Sequence, residues 1–103
     1  VIAEKKAQAS DRATKKDFAG AICLWKELLP QVGEQHVNEI LPQIERVYQE
    51  IGSPEGGRIL SELRKLYDDF FDMTKRMKQL DARGRMMRQS LADKICEMVI
   101  KLP

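Results

Sequence analysis

Long apolar runs are missing from this chain of 103 residues. A membrane-spanning helix needs roughly 18 to 20 consecutive apolar residues, and no stretch approaches that length. Histidine occurs once, at His36, so neither a Cys-His nor a Ser-His catalytic pairing finds support beyond chance. His36 reads as a surface or capping residue near a helix start. Cysteine occurs twice, at Cys23 and Cys96, without the spacing of a zinc or dithiol motif. Both read as small buried or half-buried side chains in a reducing compartment, although spacing alone leaves a disulfide open. No phosphate loop is present, because Gly56-Gly57 lacks the following Lys-Ser/Thr. Asp68, Asp69 and Asp72 would point in different directions on a helix, with Arg64 and Lys65 one turn away, which is a solvated face rather than a metal site. Net charge is only +2, too small to argue for nucleic acid by itself. No enzyme, cofactor or metal site is predicted.

What the chain does contain is periodicity. Apolar residues make up 43% and charged residues 33%, enough for one small helical domain over residues 1–103 with a strongly solvated exterior. The chain begins at Val1 and stops at Pro103 straight after an apolar run, and it reads as a piece of a longer protein. Residues 2 to 16 have high helix propensity but a thin face of Ile2, Ala3, Ala7, Ala9 and Ala13, so this helix should lie against others without anchoring them. Asp17 is a candidate N-cap. Phe18, Ala21, Ile22, Trp25, Leu28 and Leu29 then form an i, i+3, i+4, i+7 stripe that Pro30 and Gly33 end. Val37, Ile40, Leu41, Ile44, Val47, Tyr48 and Ile51 make a third stripe. It keeps phase across Pro42, which predicts a kink rather than a break. Gly52 is a natural left-handed C-cap, and Ser53-Pro54-Glu55 opens a new helix with cap, first-turn proline and acid in order. Gly56 and Gly57 predict a loose first turn or a close backbone approach.

From Ile59 onward Leu63, Leu66, Phe70, Met73, Met77, Leu80, Gly84, Met87 and Leu91 follow at alternating steps of four and three. That is a coiled-coil-like heptad seam. The register holds through Gly84, and Asp81 and Arg85 stand i, i+4 in the favourable order, as do Asp72 and Arg76 earlier. One continuous helix of about 45 residues, or about 65 Å at 1.5 Å per residue, is therefore predicted. The rival is a turn near Asp81 to Gly84 with a fifth helix from Arg85 to Leu102. Met73, Met77 and Met87 fall on the seam and are assigned to the core. Trp25, Ile22, Leu28, Ile40, Ile44, Val47, Leu63, Leu66 and Phe70 are the expected core. The last turns, with Ile95, Met98, Val99, Ile100 and Leu102, are apolar on more than one side and need more cover than a single helix supplies.

Charge is segregated. Residues 34 to 55 carry five Glu against one Arg, whereas Lys75, Arg76, Lys78, Arg83, Arg85 and Arg88 face Asp81 alone between residues 75 and 88. These six cations, with Met86, Met98 and Val99 as exposed apolar contact points, are the candidate partner-binding residues. An acidic protein surface, an amphipathic helix or a second copy would suit them, the last giving a homodimer. Nucleic acid bound by residues 75–88 is the alternative, weakened by the absence of interleaved aromatics.

Asp17-Phe18-Ala19-Gly20-Ala21-Ile22, with Trp25, Leu28 and Leu29, resembles the turn and second helix of a tetratricopeptide repeat. Val47-Tyr48, Ile51-Gly52, Gly57 and Leu60 resemble a second such hairpin, offset by about 36 residues where the family period is close to 34. The two units would cover roughly residues 3–69. The first hairpin is also similar to microtubule-interacting-and-trafficking domains. The resemblance implies a helical-hairpin scaffold for protein recognition. The expected fold is all-α: a four- or five-helix bundle of antiparallel helical hairpins with a long C-terminal helix. The expected function is a non-catalytic interaction or assembly domain of an intracellular protein, cytoplasmic or nuclear.

Overall fold

A computed structural model describes every residue, Val1–Pro103. It is all-helical: α1 (Ile2–Thr14), α2 (Phe18–Leu28), α3 (Glu34–Ile51), α4 (Pro54–Lys75) and α5 (Ala82–Lys101), with short 3₁₀ turns at Leu29–Gln31 and Met77–Gln79. Local chemistry sets the starts of three helices. The Asp17 carboxylate accepts the Gly20 amide at 3.2 Å, the Ser53 hydroxyl accepts the Gly56 amide at 3.2 Å, and the Asp81 carboxylate accepts the Gly84 amide at 2.8 Å. α3 runs unbroken through Pro42 and closes on Gly52, whose φ of 71° is the left-handed cap expected of it.

The long C-terminal helix does not form. α4 stops at Lys75, the chain reverses, and Leu80 is extended before α5 begins. The longest dimension of the whole molecule is 47 Å, too short for the ~65 Å rod. Burial explains the outcome. Gly84 is helical with or without the reversal, so its ~1 kcal/mol cost does not decide between them, whereas the Asp81 cap contributes about 1 kcal/mol to the bent form. Folding back also buries Ile95, Val99 and Leu102, each gaining about 1.5–3 kcal/mol, which a straight helix forgoes. The Asp81 carboxylate serves the Gly84 amide, so the expected Asp81–Arg85 pair is absent.

The thinnest dimension is 16 Å between Cα atoms. Two helix layers about 10 Å apart, with Cα radii of about 2.3 Å, account for it. Consecutive helices pack pairwise, α1 on α2, α3 on α4 and α4 on α5, and α5 also returns to the Leu29–Gln31 turn. Trp25, Tyr48, Leu29, Ile40, Ile44, Leu63 and Val37 are the largest fully enclosed side chains. Leu66 and Phe70 are half-buried against that core. The Tyr67 hydroxyl donates to the Leu29 carbonyl at 3.1 Å and the Tyr48 hydroxyl to the Pro103 carbonyl at 3.0 Å. Lys26 donates to the Ile100 and Leu102 carbonyls at 3.2 and 2.9 Å, placing a cation where α5 leaves its last carbonyls open.

α1 is held differently. Ala9 is its one buried residue, as the thin apolar face implied. Lys6 pairs with Glu39, Ser10 donates to Gln43 and Lys16 pairs with Glu50, in the same order along both helices. α1 and α3 therefore lie parallel, joined by polar bridges. Lys6 Nζ also stands 3.0 Å from Nδ1 of the half-buried His36, and its hydrogen bond holds the Glu39 carboxyl below its usual range. Lys16 itself has φ 68°, a left-handed strain of order 1–3 kcal/mol for a residue with a Cβ.

Of the two candidate roles for Gly56, close approach is the one realised: a Cβ there would lie 2.7 Å from the Tyr48 ring. Gly56→Ala should lower stability by about 1–3 kcal/mol despite alanine's better helix propensity, read from urea unfolding; a gain in stability would contradict this packing. Burial raises the Tyr48 phenol to about 12 and raises Tyr67 as well, with a smaller push from Cys96. A folded value above the unfolded one, near 10, means full stabilisation below that pH, lost as pH rises through about 12 for Tyr48. An alkaline absorbance titration should therefore show almost no tyrosinate at pH ~10 in the native chain and about half in denaturant.

Candidate functional site: the turn between α4 and α5

The reversal collects the basic segment at one end of the molecule, where the six predicted cations do not share one fate. Lys75, the last residue of α4, pairs with Glu34 at 3.2 Å, and Arg76 pairs with Asp72 at 2.9 Å. Arg88 lies 4.6 Å over the Phe70 ring, and its Nε donates to Thr74 Oγ1 at 2.9 Å, so it clamps α5 to α4. Lys78, Arg83 and Arg85 are exposed and form no ion pair. Three unpaired cations thus stand on the turn and the first turns of α5.

Apolar side chains lie among them. Met86 is 74% exposed, Met87 57% and Met77 38%. Arg83, Met86 and Met87 follow at i, i+3, i+4 and share a helical side. Met86 fulfils its expected exposure. Met77 and Met87 do not belong to the core, because the seam that assigned them there is cut between Lys75 and Ala82. Val99 corrects the opposite way. It is buried, and Met98 is half-buried against the core, because α5 folds back and its final turns face α2. Of the predicted contact residues, Lys78, Arg83, Arg85 and Met86 are exposed and unengaged, with Arg83 and Met86 on one side of α5 and Arg85 on the other. Lys75, Arg76 and Arg88 are already engaged.

A second surface feature joins α2 to the end of α5. An open groove of about 620 Å³ runs past Ile22, Cys23 and Lys26 on one side and Cys96, Val99 and Ile100 on the other. Ile100 is 75% exposed at its lip. Both cysteines are free thiols and exposed, not buried as their neighbours suggested. They sit on the outer flank of helices whose opposite flank faces the core. No three Asp, Glu, His or Cys side chains converge on a metal-binding point, and no helix is long and apolar enough to cross a membrane.

The signal for the turn was present in the sequence. Asp81 is an N-cap residue type, and a turn near Asp81 to Gly84 was the rival to the continuing heptad register. The i, i+4 spacing marked the Asp72–Arg76 pair, which forms, whereas nothing in the pattern marked Lys75, which reaches Glu34 across 41 residues. Compared with protein-family profiles, with curated proteins and with solved structures, the chain finds no match. Asp81→Ala should cost about 1 kcal/mol, lowering the melting temperature by about 4–8 °C; an unchanged melt would mean the cap does not hold the turn.

Proposed function

We propose that this chain is a non-catalytic helical interaction module whose α4–α5 turn docks an acidic, partly apolar segment of a protein partner. The observation that carries the reading is the set of unpaired cations Lys78, Arg83 and Arg85 interleaved with exposed Met77, Met86 and Met87. Unpaired cations supply charge complementarity and association rate. Methionines supply an adaptable apolar contact. The scaffold beneath is a tetratricopeptide-like array of antiparallel helical hairpins. Its support is the offset of the bridges joining α1 to α3: 33 residues for Lys6–Glu39 and Ser10–Gln43, and 34 for Lys16–Glu50, close to the family period of about 34. Two free exposed thiols suit an intracellular setting.

A labelled peptide of alternating Glu and Leu tests the docking by fluorescence anisotropy. Binding should weaken roughly tenfold between ~50 and ~300 mM salt, since exposed charges are screened. The triple variant Lys78→Glu, Arg83→Glu, Arg85→Glu should abolish it while leaving the melting curve unchanged. Binding that survives the triple variant would sink the reading. Tighter binding to mixed-sequence RNA or DNA, with a steep salt slope, would transfer the surface to nucleic acid. Sedimentation over a concentration series separates both from self-association through Met86 and Met87.

A further inference from the structure

The fold divides the methionines of the chain into two groups. Met73 and Met98 are half-buried, and Met98 packs against the core. Met77, Met86 and Met87 are exposed, Met86 the most and Met77 the least. All three lie in the α4–α5 turn or the first turns of α5. Oxygen transfer to a thioether requires an oxidant to reach the sulfur lone pair, so its rate follows exposure. The sulfurs most open to oxidation are therefore those of the proposed docking surface.

Oxidation there changes what the surface offers. A thioether is apolar and adaptable, whereas its sulfoxide is polar and chiral. Lys78, Arg83 and Arg85 are untouched by the same chemistry. The apolar half of the contact is lost and the charged half stays. Met77, Met86 and Met87 stand outside the core, so the change reaches the surface and not the fold. The thiols of Cys23 and Cys96 also react with peroxide, but they line the groove between α2 and the end of α5, apart from the turn.

We propose that the α4–α5 turn is a peroxide-sensitive modification site, at which conversion of Met86, Met87 and Met77 to sulfoxides weakens docking of the acidic, partly apolar partner. This rests on the docking reading and adds its regulation. In each step the sulfur attacks one oxygen of hydrogen peroxide. An S–O bond forms, the O–O bond breaks and water leaves, so that sulfur is oxidised and peroxide reduced. Methionine sulfoxide reductases reverse the change.

The whole chain is treated with hydrogen peroxide and then with dithiothreitol, which returns disulfides and sulfenic acids to thiols and leaves sulfoxides in place. Peptide mass spectrometry should find Met86, Met87 and Met77 oxidised ahead of Met73 and Met98. The oxidised chain should keep its melting curve and bind the labelled Glu-Leu peptide at least about fivefold more weakly, about 1 kcal/mol. Its salt dependence should persist, and sulfoxide reductase should restore the affinity. In the triple variant Met77→Leu, Met86→Leu, Met87→Leu, peroxide should leave binding where it started. Oxidation of Met73 or Met98 ahead of Met86, unchanged binding with sulfoxide at Met86 and Met87, or an equal loss in the leucine variant would each overturn the site. No binding by the unoxidised chain would instead remove the docking reading, and the switch with it.

Discussion

The reversal of the chain between Lys75 and Ala82 is the constraint on which the rest of this molecule depends. It turns α5 back so that Ile95, Val99 and Leu102 enter the core. It brings the last carbonyls of α5 to Lys26 and the Pro103 carbonyl to Tyr48. The same reversal leaves Lys78, Arg83 and Arg85 unpaired and Met77, Met86 and Met87 exposed. Stability and exposed surface thus come from one event. Burying three apolar residues outweighs the loss of a continuous helix, and the residues at the bend are left exposed.

Two kinds of adhesion hold the helices, and they differ in strength. α2, α3 and α4 share an apolar interior around Trp25, Ile40, Ile44 and Leu63, where each enclosed side chain contributes on the order of 1.5–3 kcal/mol. α1 packs along α2 with Ala9 buried and Ile2 and Ala13 partly buried against the core, and adds a row of exposed polar bridges to α3, each worth at most about 1 kcal/mol in water.

Much of this was legible in the residues. Asp17, Ser53 and Gly52 act at the helix ends where their chemistry placed them, and Pro42 leaves α3 unbroken. The expected core residues from Trp25 to Leu63 are enclosed, with Leu66 and Phe70 at its margin. The heptad seam was misleading past Phe70. A four-three spacing states which side of a helix is apolar, and it reads the same whether the helix continues or bends. Met77, Met87 and Val99 were misplaced for that reason. The exposed Lys78, Arg83, Arg85 and Met86 stood in the predicted contact set, and the Asp72–Arg76 pair follows its i, i+4 spacing, but the engagement of Lys75 and Arg88 rests on partners 41 and 14 residues away.

Apolar sides, the starts of α2 and α4 and the end of α3 were determined by the sequence alone, because they rest on interactions within about four residues along the chain. The tertiary structure alone decided where the seam breaks and so where α4 ends, that Lys75 is neutralised by Glu34, that both thiols are exposed and that Trp25 goes without an acceptor. These outcomes depend on groups far apart in the chain, Lys26 with Ile100 across 74 residues and Tyr48 with Pro103 across 55. A periodic pattern says which side of a helix must be covered; only the packed chain says by what.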